Sequence, residues 1–264
     1  MENTFAVITG ASSGIGFELA KQFGQNGFEL LIVSSSDDIF EAQRELERLG
    51  YTVEALKANL ATYAGVENLY QQISKYGKIL DAIAINAGVG VGGAFTETDL
   101  KEEINVINLN IVSAVHLVKR ILPEMKERGR GRILFTSSIV SQMPSPFEAV
   151  YGASKAFLTS FAESIRNEMK EFGVTVTVLM PGATNTNFFH RAGMDDTKDS
   201  AEMKYDNDPA EVAKQGFEAL MSGKHSVFSE SFLTKIQGYA LKIIPEKAKA
   251  QFHRKWSEPG SANH

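Results

Sequence analysis

The stretch Phe5-Ala-Val-Ile-Thr-Gly10-Ala-Ser-Ser-Gly-Ile-Gly16 reads as a strand, a glycine-rich turn and the opening of a helix. Phe5 to Thr9 is a short apolar run, and after Gly16 the apolar residues Leu19, Ala20 and Phe23 recur at helical spacing. Gly10, Gly14 and Gly16 let the backbone come close to a phosphate, while N–H groups at the helix start supply donors and a positive dipole end. Ser12, Ser13 and Ile15 belong to the same turn. Two other readings compete for these residues. Gly10-Ala-Ser12-Ser-Gly14 matches a hydrolase nucleophile elbow with Ser12 as nucleophile, but in that fold several strands precede the elbow, and here only one does. A P-loop fails because Phe17 stands where a phosphate-binding Lys would follow the last glycine.

The following segments alternate in the same way. Phe28 to Val33 is a second apolar run leading to Ser34-Ser35-Ser36-Asp37-Asp38. In dinucleotide-binding folds the end of this strand reads the adenosine ribose, an acid favouring NAD and a basic residue favouring NADP. Neither is present; the hydroxyl and N–H groups of Ser34 through Ser36 could hold a 2′-phosphate, and Ser36 or Asp37 merely capping the next helix is at least an equal alternative. Tyr51 to Leu56 reads as a third strand closed by Asn59 and Leu60, and Leu80 to Ile85 as a fourth that runs into Asn86-Ala87-Gly88. The fourth is continuously apolar, as a parallel strand buried on both faces should be. A helical stretch from about Glu97 to Arg128 carries Asn110 among apolar neighbours, pointing to a polar role or to a buried structural hydrogen bond. Arg132 to Phe135 precedes Thr136-Ser137-Ser138, Val174 to Leu179 forms a sixth strand, and 225–228 a last one. This order implies an α/β fold: a single doubly wound, Rossmann-like parallel sheet of about seven strands, with helices on both faces and ligands at the strand carboxyl ends.

Tyr151-Gly-Ala-Ser-Lys155 adds chemistry to this frame. On a helix a Tyr and a Lys four positions apart share one face. A Lys charge beside a phenol favours the phenolate, so the pair is expected to lower the Tyr151 pKa towards a usable range. Pro181-Gly182 then breaks the chain, and 183–207 is a polar stretch long enough to act as a substrate lid, with Phe188 and Phe189 as its apolar cover. Asp208-Pro209 is a helix start. The 229–264 region reads as a helical C-terminal extension, an ordinary soluble helix pair ahead of a surface for a partner subunit or a membrane.

The 264 residues, 43% of them apolar, suffice for one large domain, and the net charge of -5 argues against general affinity for nucleic acid. The chain has no Cys, which removes disulfides, thiol catalysis and cysteine-held metal. The N-terminus enters a strand directly and no run of transmembrane length is apparent, so a soluble cytoplasmic protein without stable membrane insertion is expected.

Taken together, Thr9 to Gly16, Asn86-Ala87-Gly88, Asn110, Ser138, Tyr151, Lys155 and Pro181-Gly182 occur in an order and at separations that resemble the short-chain dehydrogenase/reductase family. The resemblance implies hydride transfer between a nicotinamide cofactor and a carbonyl or secondary alcohol. Tyr151 would be general acid or base, Lys155 would hold the nicotinamide ribose, Ser138 would bond the substrate oxygen, and Asn110 would hold a water in a proton relay. Gly10, Ser12, Ser13, Gly14, Ile15 and Gly16 would surround the cofactor phosphates, Ser34, Ser35, Asn59, Leu60, Asn86, Ala87 and Gly88 the adenosine side, and Pro181, Gly182 and Thr184 the nicotinamide. Ser138, Tyr151, Met143 and Phe188 would meet the substrate, and no metal is implied. Many members have an Asp where this chain has Asn59, and the ribose-reading position lacks both the usual acid and the usual base. Without an acid to repel a 2′-phosphate, NADP(H) is expected ahead of NAD(H). A homodimer or homotetramer through the helices around 98–128 and 150–172 is also implied. The alternative is a non-catalytic dinucleotide-binding regulator on the same fold.

Overall fold

Residues 4–202, 208–229 and 244–263 are described by a computed structural model of the chain. Strands β1 (Thr4–Thr9), β2 (Phe28–Ser34), β3 (Val53–Lys57), β4 (Leu80–Ile85), β5 (Gly131–Thr136), β6 (Val174–Pro181) and β7 (Ser226–Ser229) form one sheet in the order β3-β2-β1-β4-β5-β6-β7. Every neighbouring pair is parallel. Between the strands lie α1 (Gly14–Gln25), α2 (Asp38–Arg48), α3 (Tyr63–Lys75), α4 (Leu100–Ile107), α5 (Ser113–Arg128), α6 (Ala149–Met169), α7 (Phe188–Arg191), α8 (Lys198–Glu202) and α9 (Pro209–Met221), with α10 (Glu246–Ser257) near the C-terminal end. Asp208 caps α9 by accepting from Ala210 N at 2.8 Å, with Pro209 in the first turn as the sequence predicts.

Strand residues alternate between two cores. Ala6, Ile8, Leu30, Ile32 and Ala84 point to one face, where Leu19 and Phe23 of α1, Ile39 and Leu46 of α2, and Val212 and Phe217 of α9 cover them. Val7, Leu31, Val33, Ile83 and Ile85 point to the other, under Leu69 of α3, Leu117 and Ile121 of α5, and Leu158 and Ile165 of α6. Both faces being covered explains why β1, β2 and β4 read as apolar runs without alternation, apart from Glu29 and Asp81 at the second positions of β2 and β4. Each fully buried Leu, Ile or Phe contributes roughly 1.5–3 kcal/mol.

The helix from Leu100 to Arg128 is interrupted by a π-turn at Asn108–Val112, a feature that carries no sequence signature. Contrary to the sequence reading, this 29-residue stretch is long and apolar enough to cross a membrane by length and composition alone. Packing accounts for the apolarity, because Leu117, Val118, Ile121 and Met125 are buried against the sheet.

Phe23 of α1 is fully buried and meets Phe28 and Phe217 edge to face at 5.1 and 4.9 Å. Phe23→Ala is therefore predicted to destabilise the fold by about 3–5 kcal/mol in denaturant unfolding; a loss below about 1 kcal/mol would mean that this corner repacks freely.

Candidate active site

The strand order reverses between β1 and β4, which opens a crevice at their carboxyl ends. A small hydrogen-bonded clamp fixes the crevice. Thr9 Oγ1 donates to Ala84 O at 3.2 Å and accepts from Asn86 N and Ala87 N at 2.9 and 3.0 Å. The Asn86 side-chain amide donates back to Thr9 O and Gly10 O at 3.1 and 3.3 Å. Asn86 is thus committed to joining the two strand ends, and Ala87 and Gly88 follow along the crevice floor.

The glycines are required by contact as well as by conformation. A Cβ on Gly16 would lie 2.1 Å from Gly10 O, and one on Gly10 would lie 2.8 Å from Ala87 Cα. Gly10 and Gly14 also have φ of 68° and 56°, the left-handed region. The result is a bare backbone cradle at the start of α1, a fit for a dinucleotide pyrophosphate.

A cavity of about 830 Å³ extends from this cradle. Gly10, Ser12, Ser13, Gly14, Ile15, Gly16, Ser34, Ser35, Asn59, Leu60, Asn86, Ala87 and Gly88 line its one end, and Ser138, Met143, Tyr151, Lys155, Pro181, Gly182, Thr184 and Phe188 the other. Every site residue singled out in the sequence is in this wall except Asn110. That residue lies one layer behind, 1% exposed in the π-turn. Its Oδ1 accepts from Val89 N at 3.0 Å, and its Nδ2 donates to Val89 O and to Ser154 Oγ, each at 2.9 Å. The Asn110 carboxamide therefore holds the backbone beside Gly88 and has no donor left for the cavity.

Tyr151 and Lys155 leave the same face of α6, as their spacing requires. Lys155 Nζ donates to Thr136 O at 2.9 Å and lies 5.6 Å from the centre of the Tyr151 ring. Ser138 follows β5; its hydroxyl accepts from Val140 N at 3.3 Å and reaches Pro181 O at 3.5 Å. The expected lowering of the Tyr151 pKa is not what this arrangement produces. Burial first, then the nearby Glu148 carboxylate, push the phenol up, and the Ser138 hydroxyl opposes them only in part. Burial pulls the Lys155 ammonium down to about 8. The ammonium is aimed at the Thr136 carbonyl, and Tyr151 is consequently a protonated acid at neutral pH.

The lid region packs over this end, with residues 203–207 lying outside the described residues. Phe188 meets the Tyr151 ring at 5.0 Å between centroids, Phe189 crosses Phe188 edge to face at 5.4 Å, and both line the cavity as an apolar cover. At the adenosine end Ser34 Oγ donates to Ser12 Oγ at 3.1 Å, while Asp37, offered as a cap, makes no cap bond and pairs with Lys57 at 2.7 Å.

Several wall residues had no sequence signal. Arg191 of α7 crosses from the lid to donate to Ser13 Oγ at 3.1 Å. Glu148 is buried just before Tyr151, after Phe147, whose φ of 65° is the one positive value at a non-glycine among the described residues. Such a conformation costs of order 1–3 kcal/mol and persists where surroundings enforce it. Here Gly93 N donates to Phe147 O at 2.8 Å and the Arg254 guanidinium stacks 5.2 Å over the Phe147 ring. In the C-terminal extension, α10 lies against the cavity through Lys249, Phe252, His253 and Trp256. Residues 230–243, which precede it, lie outside the described residues.

Comparison with known proteins agrees with this geometry. A family model described as short chain dehydrogenase matches residues 4–197. Dehydrogenase/reductase SDR family member 7B of Mus musculus is 30% identical over 257 residues, covering 93% of this chain and 79% of that protein. The L-sorbose reductase of Gluconobacter frateurii, solved with NADPH and L-sorbose, is 25% identical with a TM-score of 0.79, covering 89% of this chain and 98% of that one. A short-chain dehydrogenase from Sphingobium yanoikuyae solved with NADPH shares the fold at 23% identity, a TM-score of 0.79, and coverage of 92% and 97%.

The contact at Gly16 generates a direct test. Gly16→Ala is predicted to lower the melting temperature, at a cost of about 1–3 kcal/mol from overpacking, and to abolish measurable NADPH binding in fluorescence titration. Unchanged stability together with unchanged binding would show that the cradle is not closed in this way.

Proposed function

The chain belongs to the short-chain dehydrogenase family, and on that premise we propose an NADP(H)-dependent reaction between a carbonyl group and a secondary alcohol, with Tyr151 as the proton carrier. The observation that carries this reading is the convergence of Ser138, Tyr151 and Lys155 on the cavity that begins at the Gly10–Gly16 cradle. The bound nicotinamide supplies the hydride in reduction and takes it up in oxidation.

This chain's residues handle the oxygen. Charge develops on the substrate oxygen as the carbon is reduced, so donors aimed there stabilise the transition state more than the ground state. Ser138 donates without changing protonation. Tyr151, held protonated by burial and by Glu148, delivers the proton and becomes a phenolate. Lys155, whose pKa of about 8 leaves it largely charged at neutral pH, offsets that phenolate and donates to the ribose hydroxyls. Asn110 positions the Gly88–Val89 backbone through its carboxamide. Phe188 and Phe189 exclude water from the reacting end.

Two further features belong to the same reading. Arg191 supplies, from the lid, the cation missing after β2: it sits on Ser13, next to Ser12, which bonds Ser34 at the ribose-reading position. Leu100, Ile104 and Val112, together with Phe157 of α6, are exposed apolar residues on the helices expected to pair in a homodimer or homotetramer.

Tyr151→Phe is predicted to cut the rate of carbonyl reduction by about 10²–10⁴-fold while NADPH still binds; near-normal turnover would overturn the proton-transfer role. Arg191→Met is predicted to weaken NADPH binding roughly tenfold or more and to leave NADH binding nearly unchanged, since a charge-assisted phosphate contact is lost only with the former. Equal effects on the two cofactors would remove Arg191 from 2′-phosphate recognition.

A further inference from the structure

Helix α10 turns charged residues inward. Lys249 and His253, four positions apart on one face, are 6% and 4% exposed and line the cavity. Against His253 stands Glu148, itself 3% exposed, with its Oε2 at 3.4 Å from the imidazole Nε2. Neither His253 nitrogen makes a hydrogen bond to any described residue. An imidazole buried in this state is unusual, because buried polar groups are as a rule satisfied.

The backbone is built to produce this pair. The left-handed Phe147 directs the next residue, Glu148, into the wall three positions before Tyr151, and Arg254 on Phe147 locks α10 so that the neighbouring His253 meets the carboxylate. The rest of this wall is largely apolar: Met143, Phe188, Phe189, Phe252 and Trp256. A carboxylate beside an imidazole offers an acceptor and a donor within one small space. The group that satisfies both is a hydroxyl, which donates to Glu148 and accepts from an imidazole N–H.

We propose that Glu148 and His253 form a polar subsite for a hydroxyl group of the substrate, so that the preferred substrates are hydroxyketones and the matching diols, ahead of plain alkyl or aryl ketones. The proposal rests on the oxidoreductase reading above and names its substrate class. An acidic substituent is disfavoured at the same place: Glu148 repels it, and the Lys249 ammonium is already paired with Glu246 at 2.7 Å. A hydrocarbon substituent would enter but leave the His253 nitrogens without a hydrogen bond, which is how a site built to bond a hydroxyl rejects the analogue lacking it.

The test uses a matched pair of ketones, 2-hydroxyacetophenone and propiophenone, with the full-length protein and NADPH. The ratio of their kcat/KM values is read within each protein, so differences in the amount of folded enzyme cancel. The wild-type ratio is expected to favour the hydroxyketone by about 100-fold or more, and both Glu148→Gln and His253→Phe are expected to bring it to within about fivefold of unity. A wild-type ratio near one, or a ratio that neither variant moves, overturns the subsite. The second measurement is calorimetric titration of the protein–NADPH complex, in which neither alcohol can be oxidised, with 1-phenylethane-1,2-diol and with 1-phenylpropan-1-ol. Tighter binding of the diol, lost in His253→Phe, supports the subsite; equal binding overturns it. Should neither ketone turn over although NADPH binds, the calorimetric comparison decides the subsite by itself.

Discussion

The Thr9–Asn86 clamp is the constraint from which the rest of the site follows. One threonine hydroxyl and one side-chain amide satisfy the polar groups where the parallel strands β1 and β4 end, and so fix the crevice at the point where the strand order reverses. The backbone must then pass very close to itself. Gly10 sits against Ala87, and Gly16 against Gly10. Side chains are excluded from the place a pyrophosphate would occupy, and the start of α1 presents its N–H groups there. The reacting groups are set from the next strands along the sheet, Ser138 after β5 and Pro181 at the end of β6, with α6 crossing over to deliver Tyr151 and Lys155.

Burial sets the protonation of these groups. A phenol deprived of water and placed near a carboxylate keeps its proton, and an ammonium in the same surroundings holds its own less firmly. That combination is what the proposed proton transfer requires: a neutral acid beside a cation that can offset the resulting charge. The same burial leaves the His253 nitrogens without a hydrogen bond in the wall, the feature on which the proposed hydroxyl subsite rests.

Much of this was legible in the sequence where the signal was local. The run Leu80–Ile85 coincides with β4, ending where Asn86 follows Ile85. β6 extends beyond the Leu179 end that the sequence suggests: strand pairing carries it to Pro181, opposite Ser229 of β7, whereas a proline ordinarily marks a strand that has already ended. Tyr151 and Lys155 could be placed together from helical periodicity alone. Contacts between distant segments could not. Arg191 reaches Ser13 across 178 residues, and nothing in the composition of either segment announces it. The inward turn of Lys249 and His253 was likewise hidden, because a basic pair at helical spacing reads as a solvated face until the helix is docked. The sign of the Tyr151 shift was lost for a related reason: helical spacing brings a lysine near the ring but says nothing of where its proton donors point or which carboxylate is buried beside them.

The central claim is that this cavity transfers hydride to a carbonyl carbon while its side chains manage the oxygen. Incubation of the protein with a hydroxyketone and NADPH doubly deuterated at the nicotinamide C4 position, followed by mass spectrometry of the product, tests it most directly. The account predicts an alcohol one mass unit heavier, with the deuterium on the carbinol carbon. Binding of the cofactor with no deuterium delivered to any carbonyl compound would contradict the account and point to a protein that senses the dinucleotide without using it.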